Sequence, residues 1–165
     1  MHPVGSKIVR ILVGFLLAAS AGYVIAIVFA TTANLMRLSG IGAEISFADA
    51  WRTYVFDLFG MAPTPFEITR YGTVIFIGLA IAFPVAALLR AFASRARPTL
   101  QRIVPYLFPA AGATAIGVSL VLMYQRYEVS AVAGGRGFGF LAQCVAGALA
   151  GYLFQLLLRK LARQS

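Results

Sequence analysis

The sequence predicts an all-α integral membrane protein: a four-helix bundle with one amphipathic interfacial helix in an outer loop spanning residues 31–70. Three observations carry this prediction. Charged residues make up 12% of the 165 positions and hydrophobic residues 61%, whereas a soluble domain carries about 25% charge. Four stretches, Ile11–Ala30, Tyr71–Leu89, Ile103–Tyr124 and Phe138–Leu158, contain no charged residue. The basic residues are unevenly divided between the segments that join those stretches.

A helix rises ~1.5 Å per residue, so about 20 apolar residues cross a ~30 Å hydrocarbon core. Each charge-free stretch meets that length. Backbone groups in lipid must be paired internally, and none of the stretches alternates as a barrel strand does, so all four read as helices. The whole chain, 1–165, reads as one transmembrane domain. The first stretch also imitates a signal peptide, with Lys7 and Arg10 ahead of an apolar run and small residues at Ala19, Ser20 and Ala21. The run continues to Ala30, well beyond the 7–15 residues of a signal core, which favours a span.

Lys7, Arg10, Arg90, Arg95, Arg97, Arg102, Arg159, Lys160 and Arg163 fall on one side of the spans, with no acid among them. The other side carries Arg37, Arg52, Arg70, Arg126 and Arg136 against Glu44, Asp49, Asp57, Glu67 and Glu128, which cancel. The entire net charge of +9 therefore lies on one face, which the positive-inside rule assigns to the cytoplasm. Both termini are expected there. This segregation replaces the nucleic-acid reading that so basic a chain first invites. Headgroup contact is expected at Arg95, Arg97 and Arg102. The excess of Arg over Lys, with abundant Ala and Gly, suggests a bacterial inner membrane.

The 31–70 connection is too long to lack structure of its own. Ser46 and Asp49 form a capping-box pattern, and a helix over 47–59 follows. Phe47, Trp51, Tyr54, Val55, Leu58 and Phe59 recur at helical spacing and predict one apolar face, with Asp49, Arg52, Thr53 and Asp57 opposite. Gly60 and Pro63 supply the stop. This helix, holding the only tryptophan, is expected in the outer interface plane; a plug over the bundle mouth or a partner dock would use the same aromatic face. Thr64, Pro65 and Glu67 resemble a helix start, so the second membrane helix is expected to begin near Pro65, outside the hydrocarbon. Pro84 predicts a kink in it, and Pro105 and Pro109 a bend at the start of the third.

Small residues recur every four positions in each span. The rows are Gly14, Ala18, Gly22, Ala26 and Ala30; Gly78, Ala82 and Ala86; Ala111, Ala115 and Ser119; and Gly139, Gly147 and Gly151 with Gln143 and Gln155. Such rows allow close backbone approach where lipid gives no hydrophobic drive for association. A strict four-residue row spirals by about 40° per step, so on a straight helix only its middle is expected to touch one neighbour. Gln143 and Gln155 are expected to hydrogen-bond between helices.

Several chemistries are disfavoured. The spans hold no Asp, Glu, His, Lys or Arg, whereas proton-coupled carriers keep ionisable groups in the membrane. The single His2 offers no haem pair, Cys144 has no cysteine partner, and no base accompanies a membrane serine. The glycine cluster from Gly134 to Gly139 follows no strand and lies on the outer side, unlike a phosphate loop. No cofactor, metal or catalytic residue is expected. The expectation is a non-enzymatic accessory, structural or assembly subunit of a larger inner-membrane complex, partnered by membrane lipids and by other integral subunits or itself. A small oligomeric channel or permease, using Gln143, Ser119 and Thr114, stays open, as does a lipid- or quinone-binding protein.

Overall fold

In a computed structural model the chain is described over residues 3–67, 70–95, 101–127 and 137–162. Helix α1 runs from Pro3 to Gly40, α2 from Phe47 to Gly60, α3 from Tyr71 to Arg95, α4 from Leu107 to Tyr127 and α5 from Phe138 to Ala162. A single 3₁₀ turn, Val104–Tyr106, leads into α4. Within α1, α3, α4 with its leading turn, and α5, the segments Ile8–Gly40, Tyr71–Ala93, Val104–Met123 and Phe138–Leu161 are long and apolar enough to cross a membrane. The chain is a multi-pass, all-helical membrane protein.

Consecutive spans alternate in direction, so the basic segments collect at one end and α2 lies at the other. Around the bundle the order is α1, α5, α4, α3, and contact between α1 and α3 is the slightest of the four. The core has two layers. Towards the basic end, one ring from each span meets its neighbours: Phe15, Phe83, Phe108 and Phe154. Phe83 stacks on Phe154 at 4.7 Å, and the others approach edge to face at 5.5–6.3 Å, the arrangements that ring quadrupoles favour. Towards the α2 end, a buried polar layer takes over around Tyr71 and Gln143.

Several boundaries differ from the sequence expectation. The first helix does not end near residue 30; it continues for ten residues, through a segment free of proline. It closes where Gly42, at φ +88°, lets Gly42 N–H reach Ser39 O and Ala43 N–H reach Leu38 O. That is a Schellman turn, which needs a left-handed residue. The second membrane helix begins at Tyr71, not near Pro65. Pro65 and Phe66 lie in a turn, and the Glu67 carboxylate pairs with Arg70 instead of reaching back to Thr64. Thr64 turns to Thr73: its N–H donates to Thr73 Oγ1 (3.0 Å) while Thr73 O–H donates to Thr64 O (3.1 Å). Helix α3 runs unbroken through Pro84.

Gly72 explains how this loop sits so near α3. Its N–H donates to Met61 O at 3.0 Å, and a Cβ there would lie 2.6 Å from the same oxygen. Only a residue without a side chain admits that approach.

Candidate functional site

The α2 helix is fastened to the bundle through carbonyls at its C-terminal end and one side. Its start matches the expected cap: Asp49 N–H donates to Ser46 Oγ (3.2 Å). The serine hydroxyl donates back to the Asp49 carboxylate (2.5 Å), and this bond holds the Asp49 carboxyl below its usual range. At its end, the last four carbonyls of a helix lack intrahelical partners, and each finds one here. Asp57 O accepts from Met61 N–H (3.0 Å) and Phe59 O from Ala62 N–H (3.4 Å). Leu58 O accepts the Tyr23 hydroxyl (2.7 Å) from α1, and Gly60 O accepts Arg70 Nη1 (3.1 Å) from the residue just before α3. The Glu67 carboxylate, bonded to Arg70, is held below its usual range and raises the Arg70 guanidinium in turn.

Side chains add two further ties. Thr31 O–H donates to Asp57 Oδ2 at 2.8 Å. Thr32 O–H donates to Val28 O (2.6 Å), so the 2.8 Å contact between Thr32 Oγ1 and the Tyr54 hydroxyl has tyrosine as donor.

These ties split the expected apolar face. Tyr54 and Leu58 turn towards the bundle and are half-buried, and Leu58, Met61 and Ala62 pack on its core. Asp57, assigned by periodicity to the solvent side, turns inward to Thr31. Phe47 (87% exposed), Trp51 (63%), Phe59 (72%) and the less exposed Val55 point away, joined by Phe56 (76%), which the periodicity left out. The reason is electrostatic as much as apolar. Thr31 and Thr32 offer hydroxyls that only a polar edge of α2 can use, so the helix rotates to bring Asp57 and Tyr54 to them.

Beneath α2 lies the polar layer. Tyr71 O–H donates to Gln143 Oε1 (2.5 Å), and Gln143 Nε2 donates to Ala26 O (2.9 Å), joining α3, α5 and α1 through one buried amide. The Ala26 carbonyl has a second lone pair free for this bond. Gln155 plays a similar part at the basic end. With its amide oriented to suit its neighbours, Nε2 donates to Pro105 O (2.9 Å) and Oε1 accepts from Arg159 Nη2 (2.7 Å). Pro109 has no N–H to give the carbonyl four residues earlier, and Gln155 takes its place. Among the described residues, no buried side-chain polar atom lacks a partner.

The small-residue positions divide by what they touch. All of Gly14, Ala18, Gly22, Ala26 and Ala30 are buried, so the row is covered along its length. Gly22 is tight against α5, where a Cβ would lie 2.6 Å from Ala150 Cβ; at Gly14 the nearest atom would be 3.7 Å away. Gly147 and Gly151 meet α4 backbone to backbone: a Cβ added to them would lie 2.2 Å from Gly112 O and 2.0 Å from Phe108 O, respectively. Gly112, outside every row read from the sequence, is their counterpart. Gly139 is half-buried in the first turn of α5. Arg95 and Arg102 are exposed at the basic end, and Arg97 lies outside the described residues. Cys144 is half-buried beside Gly117.

Comparison with protein-family profiles, with curated proteins and with solved structures yields no match for this chain.

Proposed function

We propose that this chain is a non-enzymatic accessory or assembly subunit of a larger membrane complex, sited in a bacterial inner membrane with both termini cytoplasmic. The observation that carries the reading is α2. Its polar edge and carbonyl ends are consumed in fastening it to α1 and α3, and this leaves Phe47, Trp51, Val55, Phe56 and Phe59 outward on a fixed support. Rigid, solvent-facing aromatics are the residues that dominate protein contacts once covered. The amides of Gln143 and Gln155 are buried and engaged in holding helices together. A conducting path would also have to avoid the bundle axis, where four phenylalanine rings meet.

Native mass spectrometry of complexes extracted directly into nanodiscs tests this. The expected result is co-purification with another integral protein at fixed stoichiometry, lost in Trp51→Ala/Phe59→Ala. A monodisperse homo-oligomer holding no other protein would overturn the reading. A reporter fused after Ser165 should be active in the cytoplasm; activity on the opposite side would refute the orientation.

A further inference from the structure

Between α3 and α4, on the outside of the bundle, runs a groove of about 780 Å³. Its form follows from two adjacent four-residue rows on each helix. The inner rows are small residues, Gly78 and Ala82 on α3 against Ala111 and Ala115 on α4, and they make the floor. The outer rows carry Ile81 and Val85 on one side and Ala110 and Val118 on the other, and they make exposed walls. The helices meet at the floor, where a Cβ on Gly78 would lie 3.0 Å from Ser119 Oγ. The lining is almost wholly apolar, and the groove faces the depth at which the spans require hydrocarbon.

The dimensions decide what kind of occupant fits. From Val74 to Leu89 the groove is roughly 22 Å long at ~1.5 Å per residue. A polymethylene chain, whose carbons touch their surroundings at about 4 Å, has a cross-section on the order of 20 Å² and enters whole.

Charge then selects the lipid. Arg90 lies four residues beyond Ala86 and continues the floor row Gly78, Ala82, Ala86 out of the groove at its basic end. It is half-buried. The five Asp and Glu residues fall in segments that join the opposite ends of the spans, and among the described residues no acidic side chain pairs with its guanidinium. An arginine at the mouth of an apolar channel is suited to a phosphate in bidentate fashion. We infer that the α3–α4 groove is a binding site for one anionic phospholipid of the leaflet at the basic end, its acyl chain lying on the small-residue floor and its phosphate on Arg90.

The site is independent of the subunit reading and is tested separately. The full chain is reconstituted in nanodiscs of mixed anionic and zwitterionic phospholipid, released into mild detergent, and its retained lipids are counted by native mass spectrometry. The chain should retain one anionic lipid. Ala110→Trp fills the groove from an exposed position and should cut retention at least tenfold, while Ala80→Trp, exposed on α3 away from the groove, should not. Arg90→Gln should keep a lipid but lower the anionic preference about fivefold, the effect of one cation near an anionic surface. Equal retention in Ala110→Trp and Ala80→Trp would overturn the site. An unchanged anionic preference in Arg90→Gln would overturn the assignment of the phosphate. A photo-crosslinker at residue 110 should capture lipid, and capture of a protein segment instead would refute the occupant.

Discussion

Gly112 and Gly14 are both buried glycines in membrane helices, yet alanine at the two positions should act in opposite directions. At Gly112 a Cβ would stand 2.0 Å from the Gly147 carbonyl oxygen and 2.8 Å from its carbon. Ordinary contact needs well over 3 Å, so α4 and α5 must separate by roughly 1 Å along their most extensive interface, because backbone cannot rotate out of the way. Overpacking costs about 1–3 kcal/mol, and an immovable obstacle places this site at the upper end. Replacing glycine by alanine returns about 1 kcal/mol of helix propensity. The net expectation for Gly112→Ala is a loss of about 2 kcal/mol. At Gly14 the nearest atom to an added Cβ is Leu157 Cβ at 3.7 Å, an ordinary contact, so only the propensity term operates and Gly14→Ala should gain up to about 1 kcal/mol. Reversible unfolding in mixed micelles, followed by circular dichroism, would resolve this ~3 kcal/mol difference. The packing argument fails if Gly112→Ala unfolds at or above the wild-type midpoint, or if Gly14→Ala is destabilised as strongly.

Three further outcomes follow from the polar contacts. Gln143→Leu strips the buried Tyr71 hydroxyl of its acceptor and should cost about 1–2 kcal/mol, between the penalty of an orphaned buried group and the smaller values found within membranes; Tyr71→Phe should cost less in the Gln143→Leu background than alone, and strict additivity would refute the pairing. Gln155→Leu leaves the Pro105 carbonyl without its amide donor and should cost about 1 kcal/mol, with faster amide exchange at the start of α4 as the local sign. The Asp49 carboxyl is depressed, first by the Ser46 hydroxyl, so its contribution to the α2 cap is present above the unfolded carboxylate range and lost as pH falls through the lower folded value. Carbon-detected titration should show Asp49 moving up towards the ordinary value in Ser46→Ala, and an unmoved titration would show that the cap does not set it.

Much of the architecture follows from local composition. Four charge-free stretches about as long as the hydrocarbon is thick leave the backbone no alternative to helix; three lie wholly inside observed helices, and Ile103–Tyr124 opens with the 3₁₀ turn that leads into α4. The α2 start is legible because a serine cap acts on a donor three residues away. Small-residue rows identify Gly22, Gly147 and Gly151, since spacing by four is a local property. The end of α1 escapes such reading because hydropathy marks where lipid stops, whereas the helix stops at a left-handed glycine twelve residues later.

What spacing could not determine is which neighbour each residue meets. The rotation of α2 depends on Thr31 and Thr32, 22 to 26 residues away, so its periodicity identifies an apolar side but not the edge that docks. The four-ring cluster has no sequence signature, since Phe15, Phe83, Phe108 and Phe154 share no spacing and become neighbours only when four spans pack. The groove likewise needs two helices side by side, with small rows facing small rows and Arg90 at the mouth. Lipid sets the helices through the sequence alone, because hydrogen-bonding and hydropathy act within a segment. The contacts that give this bundle its polar layer, its closed axis and its groove act between segments, and the tertiary structure alone decides them.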